Sequence, residues 1–258
     1  MMLAFQTFGA LMWRDMAVFI PMWKDRFINA IIWCVLTLLI FEYIMPQAGL
    51  ANYAVFMCIG TAATVGFFEV TENVSRFIAD LEGERSLSYY LTLPLPQWAV
   101  FVRIALSNAL QALTVAGCFL PISKLLLQSR FPLDAMSYGK FFIIFTLAHL
   151  FYGFLSLLIA VQVESLYTMS NVWMRFIYPL WWLGGYQFSW SVLYKVNPYI
   201  AYVNLLNPLV WILEGVRASI LGQEGYLPFW MCVAVVTLYT AIVGLIGIRL
   251  LMRRLDCV

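Results

Sequence analysis

Six stretches of this chain are long and apolar enough to cross a lipid bilayer as α-helices. Because an α-helix rises about 1.5 Å per residue, about 20 apolar residues span the hydrocarbon layer. Four runs without Asp, Glu, Lys or Arg reach that length, residues 104–123, 141–163, 176–194 and 225–248. Residues 27–45 and 52–70 reach it with one glutamate each, Glu42 and Glu69. We therefore predict an all-α polytopic membrane protein. Its six predicted transmembrane helices cover residues 27–45, 52–73, 98–123, 138–163, 172–194 and 227–249.

The composition leaves little room for a separate soluble domain. Hydrophobic residues make up 64% of the chain and charged residues 11%, whereas soluble domains have roughly 45–50% and 25%. We therefore predict a single transmembrane domain over residues 1–258. Ten of the 15 Lys and Arg residues fall on the side of the membrane that holds both termini. Since basic residues concentrate on the cytoplasmic side, both termini are predicted to be cytoplasmic.

The segment before the first span, residues 5–26, combines aromatic side chains with charged ones. It is too polar to insert, and we expect an interface helix that lies in the plane of the membrane surface. Pro21 is expected to bend the chain there into the first span. A flexible tail is the alternative interpretation.

The segment between the second and third spans, residues 75–96, is the most charged part of the chain. Within it Leu87, Tyr90 and Leu91 recur at i, i+3 and i+4, which predicts a short amphipathic helix over Ser86–Leu93. Such a helix is typical of a docking element for a partner protein. A connector that only lies on the membrane is the alternative.

The segment between the fifth and sixth spans, residues 195–226, lies on the external side of the predicted topology. Asn197 and Asn207 each precede a proline, a pattern typical of helix N-termini. Glu214 and Arg217 are spaced so that they can form an ion pair. We predict a re-entrant helical hairpin that enters the outer leaflet and returns.

The order of four motifs on this six-span frame resembles the ABC type-2 exporter permease family over essentially the whole chain. The motifs are Arg14-Asp15 near the N-terminus, the coupling segment from Glu84-Arg85 to Pro96, Leu183-Gly184-Gly185 followed by aromatic residues, and Asn207-Pro208 followed by Glu214-Gly215-Val216-Arg217. The family usually has a Gly-Thr in the coupling helix, and this chain lacks it.

The resemblance implies that a separate ABC ATPase subunit, in two copies, drives this chain. The chain has no GxxxxGK[ST] phosphate-binding loop, so we predict that it does not hydrolyse ATP and is not an enzyme. It has no His, Glu and Asp cluster with metal-ligand spacing and no Ser/His/Asp grouping, so we predict no catalytic, cofactor or metal site. We expect no nucleic-acid partner. The residues expected to dock the ATPase are Glu84, Arg85, Leu87, Tyr90, Leu91, Arg14 and Asp15.

The resemblance also implies a bacterial inner-membrane exporter whose path runs between two permease subunits, by default a homodimer. We expect Trp190, Tyr194, Glu214 and Arg217 at the path or its external gate. Family substrates include lipid-linked polysaccharides, lipo-oligosaccharides, drugs and haem. The aromatic outer end favours a glycan or glycolipid, although Trp and Tyr also settle at membrane interfaces without any such role.

Two other classes of protein fit the sequence less well. A secondary transporter usually shows inverted repeats, and the two halves of the chain share no pattern of that kind. An intramembrane enzyme needs several polar groups at one depth. His149, in the fourth span, is the only histidine, and a neutral ring bonded to a neighbouring helix is the simpler interpretation of it.

Overall fold

The computed structural model describes residues 2–49, 53–83, 85–132 and 136–256, which form α-helices and contain no β-strand. Five helical segments are long and apolar enough to span a membrane, and a bent pair of helices makes a sixth if it is counted as one span. The chain is therefore an all-α polytopic membrane protein, as predicted. The helices are α1 (Met2–Leu38), α2 (Ala54–Glu82), α3 (Ser86–Leu91), α4 (Gln97–Ala116), α5 (Phe119–Leu127), α6 (Tyr138–Gln162), α7 (Met169–Val172), α8 (Tyr178–Leu183), α9 (Trp190–Val196), α10 (Pro198–Asn204), α11 (Pro208–Leu221) and α12 (Phe229–Asp256).

The N-terminal segment does not form a separate interface helix, which corrects the prediction. α1 is one continuous helix with Pro21 in its interior. Two charged residues of the segment pair with neighbouring helices, Asp15 with Arg103 of α4 and Arg26 with Glu69 of α2, whereas Lys24 and Asp25 are exposed. These two ion pairs hold the segment along its neighbours as part of the continuous helix.

α6 is the central helix, packed against α2, α4, α11 and α12. Gly153 allows its closest crossing, since a Cβ atom there would lie 2.2 Å from the backbone oxygen of Ala105 in α4. Gly247 of α12 likewise faces the backbone of Leu158 in α6. Small residues are common where membrane helices pack, because they let two backbones approach closely.

The outer helices are α1 and α12. Only 22% of the most apolar window of each is buried, whereas 72% of the corresponding window of α2 is buried. The remaining surface of α1 and α12 is apolar and faces outward, so it suits contact with lipid or with another membrane protein.

The predicted fifth span, residues 172–194, is not one helix. α7 continues through a π-helical turn (Trp173–Ile177) into α8, which ends at Leu183. In the irregular turn that follows, Gly185 has φ +82°, a left-handed conformation that glycine adopts without steric cost. α9 begins only at Trp190. The apolar run is long enough for a span, but the backbone turns in its middle.

The predicted asparagine caps are confirmed. The side chain of Asn197 accepts a hydrogen bond from the N–H of Tyr199 at 3.0 Å and starts α10. The side chain of Asn207 accepts from the N–H of Leu209 at 3.0 Å and starts α11. α10 and α11 meet at 96°, a bend that fits either a re-entrant hairpin or a broken span. α11 is buried over residues 209–220 and belongs to the core.

Candidate functional site

The short helix α3 is fixed to the end of α2 by a single aspartate. The carboxylate of Asp80 accepts hydrogen bonds from the N–H groups of Ser86 at 3.0 Å and Leu87 at 2.9 Å. The backbone carbonyl of Asp80 accepts from the N–H of Arg85 at 2.8 Å. Arg85 has φ +52°, which residues with a side chain rarely adopt, and these bonds hold it there. The two helices therefore form one unit, the α2–α3 unit.

The apolar face of α3 is turned into the protein. Leu87 is buried with Val100 and Phe101 of α4, and Tyr90 and Leu91 pack partly buried against the same cluster. Leu87 therefore contributes to the packing of α3 on α4, because burial removes its apolar surface from water. Tyr90 and Leu91 keep part of their surface exposed, and docking of the ATPase at these residues stays a prediction.

The opposite face of α3 is the exposed one. It carries Arg85, Ser88 and Tyr89, and Tyr89 is 61% exposed. This surface is open to a partner on the side of the membrane that holds α3. Glu84, also predicted to dock the ATPase, lies outside the described residues.

A cluster of four side chains, Arg14, Asp15, Tyr90 and Arg103, ties α3 to α1 and α4. Asp15 accepts hydrogen bonds from Arg14 at 2.6 Å and from Arg103. Arg14 also donates to the Tyr90 hydroxyl. Both guanidinium groups lie over the Tyr90 ring, 4.6 and 5.0 Å from its centroid, a favourable cation–π geometry. Arg14 and Asp15 therefore stabilise α3 through the Tyr90 side chain, on the face opposite Tyr89.

An open cleft of about 550 Å³ lies among α1, α2 and α8. At its polar end Arg26 of α1 donates to both Glu69 and Glu72 of α2. Ionisable groups inside a membrane protein are costly and therefore pair with one another, and they commonly mark a transport pathway. The sequence placed Glu69 near a span end and did not reveal its partner.

The remaining walls of the cleft are mostly aromatic. They are formed by Trp33, Phe68, Trp173, Tyr178 and Trp181. The rings of Phe68 and Trp173 are stacked, with centroids 6.1 Å apart. The indole Nε1 of Trp181 is buried and has no acceptor within the described part of the chain. A cleft of this kind presents flat apolar faces together with a free hydrogen-bond donor.

Trp190 and Tyr194, predicted to lie at the path, hold α9 against α10. The indole Nε1 of Trp190 donates to the carbonyl of Ala201 at 2.9 Å. Its ring lies 5.1 Å from that of Tyr194 and 6.1 Å from that of Tyr202. Neither residue lines the aromatic cleft, and their place at the path or its external gate stays a prediction.

Arg217 of α11 is fully buried and binds the turn that interrupts the fifth apolar run. Its guanidinium donates to the carbonyl oxygens of Gly185 at 2.6 Å and Tyr186 at 2.7 Å. It also lies over the ring of Phe56 in α2, 3.5 Å from the centroid. Gly60 leaves the space for it, since a Cβ there would lie 3.0 Å from the guanidinium.

Glu214 is also buried, and it binds the backbone on either side of the hairpin. It accepts hydrogen bonds from the N–H groups of Trp190 at 2.8 Å and Leu227 at 3.1 Å. The direct ion pair predicted between Glu214 and Arg217 does not form. Each instead satisfies backbone groups left free by the irregular turns, which apolar surroundings make costly to leave unpaired.

His149 is enclosed between α6 and α2. Its Nδ1 lies 2.7 Å from the carbonyl of Phe145, and a Cβ at Gly66 would lie 2.6 Å from the ring. The ring is therefore bonded to its own helix and not to a neighbouring helix as expected, and among the described residues its Nε2 has no hydrogen-bond partner. Among the described residues, no group of three His, Cys, Asp or Glu could hold a metal ion.

Comparison with known families agrees with this architecture. The model of the ABC-2 type transporter family matches residues 6–221, which include the α2–α3 unit, the cleft and the buried residues of α11. No curated protein matches the chain. The family is one of membrane permeases that work with an ABC ATPase subunit. Because the match covers most of its length, this chain belongs to the ABC-2 type transporter family and is the permease subunit of an ABC transporter.

Proposed function

We propose that this permease forms a homodimer which, driven by two ATPase subunits, exports a glycan or glycolipid across a bacterial inner membrane. The anchoring of α3 carries the proposal. Asp80 joins α3 to α2, and the contacts of Tyr90 with Arg14 and Arg103 join it to α1 and α4. A short surface helix linked to three spans is suited to transmit a movement of the ATPase to the membrane domain.

In this mechanism the ATPase binds the exposed face of α3 at Arg85, Ser88 and Tyr89, together with the neighbouring Glu84. Closure of the ATPase on ATP pushes α3, and the α2–α3 unit moves with it. Both termini and α3 are assigned to the cytoplasm, in accord with the excess of basic residues on that side.

The cleft is the proposed half of the translocation path, completed by the second permease. Its aromatic walls suit the apolar faces of sugar rings, and its polar end suits hydroxyl or charged groups. Glu214 and Arg217 are assigned to holding the external gate in shape, and Trp190 and Tyr194 to supporting the hairpin beside it. Export of a drug or of haem by the same movement is the alternative.

Replacing Asp80 by alanine is expected to weaken the connection through which the ATPase and the membrane domain act on each other. Two N–H groups of α3 lose their acceptor, at a cost of about 1–2 kcal/mol, which corresponds to a roughly five- to thirtyfold shift toward a detached α3. Substrate-stimulated ATPase activity and export, measured in proteoliposomes with the ATPase subunit, should both fall by a similar factor.

The matched control for Asp80→Ala is Asp25→Asn, because Asp25 is exposed and contacts no side chain among the described residues. It should leave both activities unchanged. A Tyr89→Cys variant should react with an impermeant thiol reagent only from the cytoplasmic side. Labelling from outside, or transport by the purified chain with no ATPase present, contradicts the proposal.

Replacing Trp181 by alanine tests the substrate. Loss of its ring and of its free N–H should remove about 1–2 kcal/mol of substrate contact. Export of a glycan substrate should therefore fall, and Trp181→Phe, which keeps a ring, should retain part of it. Trp230→Phe, on the outward face of α12, is the control. Equal export by Trp181→Ala and wild type would contradict the assignment of the cleft to the translocation path.

A further inference from the structure

A second cavity, of about 450 Å³, lies between α1, α2 and α4, and α3 closes one end of it. It is separate from the aromatic cleft. Three arginines, Arg14, Arg76 and Arg103, line it. They belong to α1, α2 and α4, so the fold brings together positive charges that are far apart in the sequence.

The carboxylates in this cavity do not balance the three guanidinium groups. Arg14 and Arg103 share one carboxylate, that of Asp15. The carboxylate of Asp80 is occupied by the N–H groups at the start of α3. Arg76 donates only to the amide oxygen of its neighbour Asn73, and no described carboxylate lies within salt-bridge distance of it. The residues that line the cavity therefore include one more guanidinium than carboxylates. Glu69 and Glu72 lie outside the lining and interact with Arg76 only at longer range than a salt bridge.

Two buried polar atoms on its α4 wall also lack partners. Arg103, Ser107 and Gln111 recur every four residues and form a polar stripe on the face that lines the cavity. Within the described residues, Nε of Arg103 and Oε1 of Gln111 have no hydrogen-bond partner, although the two residues are only 2% and 7% exposed. Leaving such groups unpaired costs about 1–3 kcal/mol each, so the stripe is suited to a polar ligand.

We propose that this cavity binds the phosphate group of a membrane lipid. Arginine forks match phosphate oxygens in two parallel hydrogen bonds, which gives the site its chemistry. Val18, Phe77 and Ile104 line the cavity beside the arginines, and Val18 is 62% exposed. This apolar rim suits the first carbons of the acyl chains. The proposal concerns the permease alone and stands or falls independently of ATPase docking.

A substitution of Arg76 distinguishes lipid binding from a purely structural role of the arginines. Arg14 and Arg103 also hold Tyr90 of α3, so their loss would disturb the fold. Arg76 makes no contact with α3, α1 or α4 through a hydrogen bond or ion pair, and its side chain is exposed. Its charge therefore reports on the ligand.

The test uses purified permease in a neutral detergent, titrated with phosphatidic acid or with diacylglycerol of the same acyl chains and measured by native mass spectrometry. Wild type should retain phosphatidic acid and not diacylglycerol. Arg76→Gln should bind it about tenfold more weakly, as expected for one lost charge-assisted contact. Arg76→Lys should recover part of the loss. Arg253→Gln, which removes an exposed arginine of α12 with no described side-chain contact, should bind like wild type.

Equal binding by Arg76→Gln and wild type, or equal retention of the two lipids, overturns the proposal. Displacement of phosphatidic acid by an equal concentration of inorganic phosphate contradicts the claim that the bound phosphate group belongs to a lipid. If Arg76→Gln does not fold, photolabelling of the wild-type protein tests the proposal instead. A photoreactive phosphatidic acid should label α1 near Val18 and α4 near Ile104, and labelling confined to α12 contradicts the proposed site.

Discussion

Replacing Arg217 by leucine is expected to cause one of the two largest losses of stability in this chain. The substitution leaves the carbonyls of Gly185 and Tyr186 unpaired in the core and leaves Glu214 without a nearby opposite charge. Removing one member of a buried charged network costs about 3–5 kcal/mol. Arg217→Lys should recover little, because an ammonium group cannot reproduce the fork that reaches two carbonyls.

The measurement is the melting temperature of the detergent-solubilised permease, followed by size-exclusion chromatography after heating. The matched control is Arg253→Gln, since Arg253 is exposed and makes no described side-chain contact. Substitutions at such surface positions usually change stability by less than about 0.5 kcal/mol, so this control should melt close to wild type. If Arg217→Leu has the same melting temperature as the control, the buried arginine does not stabilise the turn.

Replacing Gly153 by leucine is expected to prevent α4 and α6 from packing. Even the first side-chain carbon would lie 2.2 Å from the backbone oxygen of Ala105, a separation that requires the helices to move apart. Overpacking a core usually costs about 1–3 kcal/mol, and a clash with backbone is at the upper end or beyond. Gly153→Ala should lower the melting temperature clearly, and Gly153→Leu should abolish the monodisperse species.

Gly139→Ala is the matched control for this prediction. Gly139 lies in the first turn of the same helix, and no atom would lie within 4 Å of an added Cβ. Alanine has the higher helix propensity by about 1 kcal/mol, so this variant should be neutral or slightly stabilised. Comparable melting of Gly153→Leu and Gly139→Ala would mean that α4 and α6 are further apart than described.

Local features of the sequence were enough to predict several elements. The helix predicted over Ser86–Leu93 is present as α3, two residues shorter at its end. The caps Asn197 and Asn207 start the helices they were expected to start. In each case a side chain acts on backbone groups within a few residues, and that interaction is readable from spacing alone.

The contacts between helices were not readable in the same way. Arg26 and Glu69 belong to different spans, and so do Asp15 and Arg103. A single sequence shows that such charges need partners in a membrane, but not which helix faces which. The same gap explains why the segment before the first span was predicted to form a separate interface helix, although α1 continues through it.

By itself the sequence determined that this chain crosses a membrane as α-helices, because the length of each apolar run is set by residues that are close together in the chain. The missing phosphate-binding loop is readable for the same reason. Only the tertiary structure decided where the fifth apolar run turns. That turn depends on Arg217, which arrives from another helix to bind the carbonyls of Gly185 and Tyr186. Hydrophobic length sets what can enter a bilayer, whereas hydrogen bonds between distant segments set the path of the backbone within it.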